Sequence, residues 1–143
     1  MARQVWPGIY LGGLASFYAS GAQPLPFTVA VNVAKEVKYD EDVQALLTRQ
    51  NIKTLSLPMT DDAVYDLEDA DATIDQVHKL VELGEQVLIH CLMGASRSAS
   101  IVIRYLIRYH QHTYDSALQH LHTFSWVYKP NASFEKQLRL LCL

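Results

Sequence analysis

One segment, residues 86–103, constrains the fold more than any other part of this chain. An apolar strand-like run over 86–90 leads into the nonapeptide His-Cys-Leu-Met-Gly-Ala-Ser-Arg-Ser at 90–98. A short apolar run bounded by turn residues is typical of a buried strand. The following segment is apolar on most sides, which predicts a buried helix over 98–109. The sequence therefore predicts a strand, a tight loop and a helix at the centre of the core.

The loop has the composition of an anion-binding cradle. A short loop that leads into a helix N-terminus points several backbone N–H groups at one place. Gly94 suits such a curl because glycine tolerates a positive φ. Arg97 can bind two oxygens of an anion with its planar guanidinium, and Cys91 stands six positions before it. We therefore expect Cys91 to be a thiolate nucleophile for phosphoryl transfer through a cysteinyl-phosphate.

The alternative is that Cys91 is only a buried core residue. Cysteine is among the residues most often buried, and the arginine six positions later could then be accidental. This alternative must also explain a histidine, a glycine and two serines at fixed places between a strand and a helix. The combination favours the functional interpretation.

The nonapeptide resembles the HC-x5-R motif of the cysteine-dependent protein tyrosine phosphatases, and its Ser-Arg-Ser ending is similar to the dual-specificity branch. Four further segments are similar to parts of that catalytic domain, in the same order. They are residues 6–13, 29–33, 57–61 and 130–138. The resemblance, to a small atypical dual-specificity phosphatase, covers nearly the whole chain. It implies an α/β fold with a central, mostly parallel sheet flanked by helices.

The order of predicted elements favours the same α/β architecture, because strands and helices alternate. Strands are predicted at 5–11, 28–33, 52–57 and 86–90, and helices at 42–50, between the cap Asp66 and the C′ residue Gly84, at 98–109, at 115–122 and after Asn131. A short helical piece is predicted at 14–20, and an extended connection at 23–26. We expect one catalytic domain over residues 1–143.

The composition excludes some classes of function. A net charge of −3 gives no general attraction to nucleic acid or to an anionic membrane. No apolar run approaches the ~20 residues of a membrane span. With two cysteines, one of them in the loop, a disulfide framework is not expected. We expect no nucleic-acid or membrane partner, and a reducing compartment, the cytosol or nucleus.

Phosphate binding is assigned to the loop. Its backbone N–H groups need no particular side chains, which explains why several loop residues are apolar. Arg97 also stabilises the equatorial oxygens of the transferred group in the transition state. The predicted phosphate-binding residues are Leu92, Met93, Gly94, Ala95, Ser96 and Arg97.

Four residues are predicted to support the loop. The resemblance implies that His90 orients the loop and tunes the thiol rather than carrying protons. Ser98 either donates a hydrogen bond to the sulfur or serves only as the helix N-cap. Asn131 either helps to fix the surroundings of the site, as the resemblance implies, or is a plain helix cap. Asn32 is expected to buttress the loop from a neighbouring strand.

A leaving alkoxide needs a proton, and a carboxylic acid on a nearby loop is the expected donor. Asp61 and Asp62 stand about thirty positions before Cys91. The family places its acid a few residues after a Leu-Pro pair, which favours Asp61. Adjacent side chains of an extended segment point in different directions, so only one of the two is expected to serve.

No metal or other cofactor is expected. The sequence contains two histidine pairs, His110 with His112 and His120 with His122. On a helix, residues two apart point about 200° apart and cannot bind one ion together. No cysteine or carboxylate cluster accompanies them.

The resemblance implies a protein phosphatase that acts on phosphotyrosine and on phosphoserine or phosphothreonine, with a phosphorylated protein, for example a kinase, as its partner. A monomer is the default expectation. One alternative is a phosphatase of a lipid, an RNA 5′-end or a glycan phosphate. Residues 92–96 lack the lysines typical of the superfamily's phosphoinositide enzymes, and the acidic net charge disfavours RNA. The other alternative is a phosphoprotein-binding module with little activity. Residues 126–128 are a candidate contact patch.

Overall fold

The computed structural model describes residues 2–18 and 24–142. Its strands are β1 (Arg3–Trp6), β2 (Ile9–Gly12), β3 (Val29–Asn32), β4 (Lys53–Ser56) and β5 (Val87–His90). Its helices are α1 (Glu41–Arg49), α2 (Asp71–Glu82), α3 (Arg97–His110), α4 (Tyr114–His122) and α5 (Ala132–Leu141). Two single turns of 3₁₀ helix lie at Leu14–Phe17 and Leu67–Ala70.

β5 occupies the centre of the sheet, whose strand order is β1-β2-β5-β3-β4. β5 pairs in parallel with β2 on one side and with β3 on the other, and β4 extends the parallel part. All four residues of β5 are buried, as expected for a parallel strand with helices on both faces. The predicted mostly parallel sheet flanked by helices is therefore confirmed.

The single strand predicted over residues 5–11 is wrong. The segment forms two antiparallel strands, β1 and β2, with Arg3 opposite Leu11. Pro7 and Gly8 make the turn between them, and Gly8 has a φ of 80°. Proline followed by a glycine with positive φ suits the two central positions of a type II turn. The apolar pattern continues through this turn, which hides the break.

Other elements lie within a few residues of their predicted positions. The helix predicted from Asp66 begins instead as the 3₁₀ turn Leu67–Ala70, and the Asp66 carboxylate accepts the Glu68 N–H at its start. Gly84, with a φ of 89°, follows α2 as predicted. The helical piece predicted at 14–20 is seen as Leu14–Phe17. Residues 19, 20 and 23 of the predicted segments lie outside the described residues.

α3 forms the centre of the main core. Its residues from Arg97 to Leu106 are all buried, and it packs on β2 and β5 and against α2, α4 and α5. The other face of the sheet has a smaller core, in which Val43 and Leu47 of α1 pack with Leu88 of β5. The sheet is thus covered on both faces. None of the helices in the described part of the chain is long and apolar enough to cross a membrane.

The prediction that His110 and His112 lie on one helix is wrong. α3 ends at His110, and Gln111 has a φ of 59°, so His112 lies in the connection to α4. The rings of His110, His112 and His120 pack around Trp6 at centroid distances of 4.7, 5.6 and 5.3 Å. His122 instead bonds to the Tyr128 carbonyl through Nε2.

His90, the last residue of β5, should make stability depend on pH. Its side chain is fully buried, and this burial lowers its pKa from 6.5 to about 4. As the pH falls from 6.5 towards 4, the unfolded chain binds a proton that the folded chain does not, so stability is lost in that window. Between pH 7.5 and 5.0 the loss due to His90 should be about 2 kcal/mol.

Urea unfolding of the wild type and of His90→Asn at these two pH values measures this contribution. The wild type should lose more stability than the variant, since the variant lacks the titrating ring. An equal loss in both proteins would contradict the assignment.

Candidate active site

The loop that follows β5 turns sharply into α3. Cys91 comes directly after the last residue of β5, and Arg97 is the first residue of α3. Gly94 has a φ of 77°, and a Cβ there would lie 2.6 Å from the carbonyl carbon of Gly12. The Leu14 N–H donates to the Leu92 carbonyl at 3.0 Å. The 91–97 loop is therefore packed main chain against main chain on the end of β2.

The Cys91 sulfur lies beneath this loop and is nearly buried, with 3% of the residue exposed. Sγ accepts the Gly94 N–H at 3.1 Å and lies 3.2 Å from the Ser98 hydroxyl. The N-cap of α3 is Ser96, so the alternative that Ser98 is the helix N-cap is wrong. Ser98 instead places its hydroxyl where it can donate to a thiolate.

Several loop N–H groups are not used by the protein itself. Within residues 2–18 and 24–142, the backbone N–H groups of Leu92, Met93, Ala95 and Ser96 have no hydrogen-bond acceptor. They belong to a loop at the N-terminus of α3, where the helix dipole also favours negative charge. The predicted phosphate-binding residues thus form a cradle for an anion around the Cys91 sulfur.

Arg97 is held by a residue that the sequence analysis missed, Glu36. Arg97 Nη1 and Nη2 each donate to one oxygen of Glu36 at 2.6 Å, and Nη1 also donates to the Met59 carbonyl at 3.1 Å. The ion pair lowers the pKa of Glu36 to about 2 and raises the pKa of Arg97. This pairing fixes the guanidinium plane and leaves Nε available for an anion.

Glu36 depends on the loop between β3 and α1. The Asn32 amide donates to the Val37 carbonyl at 2.8 Å and accepts the Ala34 N–H at 3.0 Å. The Lys35 N–H donates to the Met59 carbonyl at 3.0 Å. Asn32 therefore shapes the segment that carries Glu36, and it reaches the 91–97 loop through that residue.

His90 is fixed between a tyrosine and the backbone. Its Nε2 lies 2.6 Å from the Tyr39 hydroxyl, and its Nδ1 lies 3.3 Å from the Cys91 carbonyl oxygen. Burial lowers the pKa of His90 to about 4, so one nitrogen carries a proton near neutral pH. A carbonyl can only accept, which assigns the proton to Nδ1 and makes Tyr39 the donor to Nε2. His90 therefore orients the Cys91 carbonyl as a neutral ring.

The two candidate acids have different environments. Asp61 Oδ1 accepts the Ser96 hydroxyl at 2.9 Å, which holds this carboxylate at the rim of the 91–97 loop. Asp62 Oδ1 instead accepts the Thr60 hydroxyl and the Val64 N–H, and these bonds lower its pKa. Asp62 thus stabilises its own turn, and Asp61 is the carboxylate beside the cradle.

Asn131 combines the two roles that the sequence left open. Its Oδ1 accepts the Phe134 N–H at 2.8 Å and so caps α5. Its Nδ2 donates to Asp61 Oδ1 at 2.8 Å, and its backbone N–H donates to the Ser96 hydroxyl at 3.1 Å. Asn131 therefore ties the start of α5 to Asp61 and to the loop.

The site joins four segments of the chain, which carry Glu36, Asp61, the 91–97 loop and Asn131. A nearly buried sulfur lies under free N–H groups, beside a fixed guanidinium and below an exposed carboxylate. Such a set can bind a tetrahedral anion and attack its central atom. Within the described residues, no three His, Cys, Asp or Glu side chains are grouped as metal ligands.

Known proteins share this architecture. The family model "Dual specificity phosphatase, catalytic domain" matches residues 9–141. Bovine (Bos taurus) dual specificity protein phosphatase 26 is 31% identical over 144 residues, which cover 98% of this chain and 66% of that protein. A protein phosphatase Slingshot homolog of Xenopus laevis is 31% identical over 139 residues, 95% of this chain and 19% of that protein.

A solved structure has a similar fold. The crystal structure of human DUSP28 is similar at a TM-score of 0.81 and 26% identity, over 98% of this chain and 90% of that one. This chain spans only part of the first curated relatives, from 19% of the frog protein to 40% of a mouse relative. The family match, however, extends from β2 to the end of α5, and the chain belongs to the dual specificity phosphatase catalytic domain family.

Proposed function

We propose that this chain hydrolyses phosphotyrosine and phosphoserine or phosphothreonine on proteins, through a phosphate bound covalently to Cys91. One observation carries the proposal. The Cys91 sulfur lies under the free N–H groups of the 91–97 loop, and it is near enough to the guanidinium of Arg97 to help raise the pKa of that group. A phosphoryl group held there presents its phosphorus to the sulfur.

In the first step, the Cys91 thiolate attacks phosphorus, forming an S–P bond as the P–O bond to the substrate breaks. The loop N–H groups and Arg97 stabilise the equatorial oxygens. Asp61 gives its proton to the departing oxygen, which lets a serine or threonine alkoxide leave as an alcohol. The dephosphorylated protein departs, and Asp61 remains as the carboxylate.

In the second step, water attacks the phosphorus of the cysteinyl-phosphate. Asp61 accepts a proton from this water and so regains the proton that it lost, while the S–P bond breaks. Ser98 supports this step, because its hydroxyl lies 3.2 Å from Sγ and can donate to the departing thiolate. Inorganic phosphate then leaves the cradle.

Family membership and the shape of the rim support substrates of both kinds. Asp61 and Met93 border the cradle and are exposed, so a short phosphoserine side chain has little wall to pass before it reaches the sulfur. We propose a phosphorylated protein as the partner. The cytosol or nucleus is the proposed compartment, since a working thiolate needs reducing surroundings.

Removal of the nucleophile should abolish turnover. Cys91→Ser should lose phosphate release from a peptide that carries phosphothreonine and phosphotyrosine, on the scale of roughly 10⁶ seen when a serine hydrolase loses its nucleophile. The matched control is Cys142→Ser, which removes the other cysteine at the end of α5 and should keep wild-type activity. Phosphate release by Cys91→Ser at a comparable rate would refute the proposal.

Substitution of Asp61, but not of Asp62, should cause a loss of activity that depends on the leaving group of the substrate. Asp61→Asn should lower kcat/KM, which reports the first step alone, by about 10²–10⁴ on a phosphoserine peptide, whose alkoxide needs a proton. The same variant should lose much less on p-nitrophenyl phosphate, whose leaving group is stable as an anion.

Asp62→Asn is the control for this measurement, because asparagine keeps an Oδ1 that can accept the Thr60 and Val64 hydrogen bonds. It should change kcat/KM little on either substrate. Equal losses on both substrates in Asp61→Asn, or a larger loss in Asp62→Asn, would remove Asp61 from the acid role.

A further inference from the structure

Several exposed apolar side chains of the described residues lie on the 91–97 loop or on segments that are hydrogen-bonded to it. Met93 and Leu92, on the 91–97 loop, are 81% and 44% exposed. Trp126 and Val127, in the connection between α4 and α5, are 81% and 47% exposed. Val64, on the loop that carries Asp61, is also exposed. Clustered exposed apolar side chains mark binding surfaces, whereas single ones do not.

A groove of about 290 Å³ adjoins the 91–97 loop and includes three of these apolar residues in its lining. Leu92, Met93 and Val127 supply apolar walls, and Gly94 belongs to both the groove and the loop. Its floor includes Gly12 and Gly13. A side chain in this groove would therefore lie against the loop that carries the phosphate-binding N–H groups.

The walls of this groove are fixed in place. The Lys129 N–H donates to the Ala95 carbonyl at 2.9 Å, which holds the connection between α4 and α5 against the 91–97 loop. Tyr128 is buried, so its neighbour Val127 is held at the surface. Among the described residues, Arg3 is the one charged residue that lines the groove, and its Nη1 donates to the Phe124 carbonyl at 2.8 Å.

We propose that this groove binds a large apolar side chain of the phosphorylated substrate, within three residues of the phosphorylated one. The inference rests on the proposed function. A protein substrate that presents its phosphate to Cys91 must carry its neighbouring residues past the rim, at most about 3.6 Å further for each residue. The apolar walls favour a leucine or a similar side chain, and Arg3 disfavours a lysine at the same place.

The test compares the hydrolysis of phosphopeptides that differ at one position. Leucine, alanine or lysine is placed in turn at each of the three positions on either side of the phosphorylated residue, and kcat/KM is measured. Leucine should exceed alanine by about tenfold at one or more of these positions, as expected for partial burial of a leucine side chain. Lysine should be slower than alanine there.

Val127→Ser tests the groove itself, because it removes an apolar wall without touching the phosphate-binding loop. This variant should lose most of the leucine preference and keep wild-type kcat/KM for p-nitrophenyl phosphate, which has no neighbouring residues. The matched control is Leu83→Ser. Leu83 is exposed to a similar degree as Met93, but it lies after α2, at the opposite end of β5 from Cys91. Leu83→Ser should keep the full preference.

The results of these experiments distinguish a failure of the groove inference from a failure of the proposed function. Phosphopeptide hydrolysis with no leucine preference, or with a preference unchanged in Val127→Ser, would overturn the groove inference and leave the proposed function standing. Turnover of p-nitrophenyl phosphate without hydrolysis of any phosphopeptide would overturn both. Sedimentation of the wild type as a dimer that Val127→Ser dissociates would assign the groove to a second copy of the chain and also overturn the inference.

Discussion

The site depends on an approach of two main chains that leaves no room for side chains between them. A Cβ on Gly94 would lie 2.6 Å from the Gly12 carbonyl carbon, and one on Gly13 would lie 2.7 Å from the Leu92 carbonyl oxygen. The parallel pairing of β2 with β5 brings these segments together at the same edge of the sheet. The curl of the 91–97 loop, and with it the place of the Cys91 sulfur, follows from this contact.

The remaining contacts hold the charged groups before any substrate arrives. Glu36 fixes Arg97 from the β3–α1 loop, and Asn131 fixes Asp61 from the start of α5. His90 stays neutral because burial lowers its pKa to about 4, so it adds no charge below the cradle. Groups that are already oriented stabilise a developing charge without reorganisation during the reaction. The fold therefore supplies electrostatic preorganisation, while the surface around it is left to recognise the substrate.

Sequence reasoning succeeded where the determining residues are contiguous. The strand, loop and helix around Cys91 and Arg97 lie within one short segment, so their order alone predicts the local geometry. The pairing of Glu36 with Arg97 spans 61 positions and that of Tyr39 with His90 spans 51, and no local pattern reports such contacts. The β1–β2 turn was missed for another reason, since its apolar pattern continues through the Pro-Gly pair.

The covalent step can be observed directly. The wild-type chain is mixed with a peptide labelled with ³²P on phosphotyrosine, quenched in acid within milliseconds, digested and mapped for the label. We expect the label on the peptide that contains Cys91, and no label on any peptide of the Cys91→Ser chain. Label on another residue, or rapid turnover of the peptide by the Cys91→Ser chain, would contradict hydrolysis through a cysteinyl-phosphate.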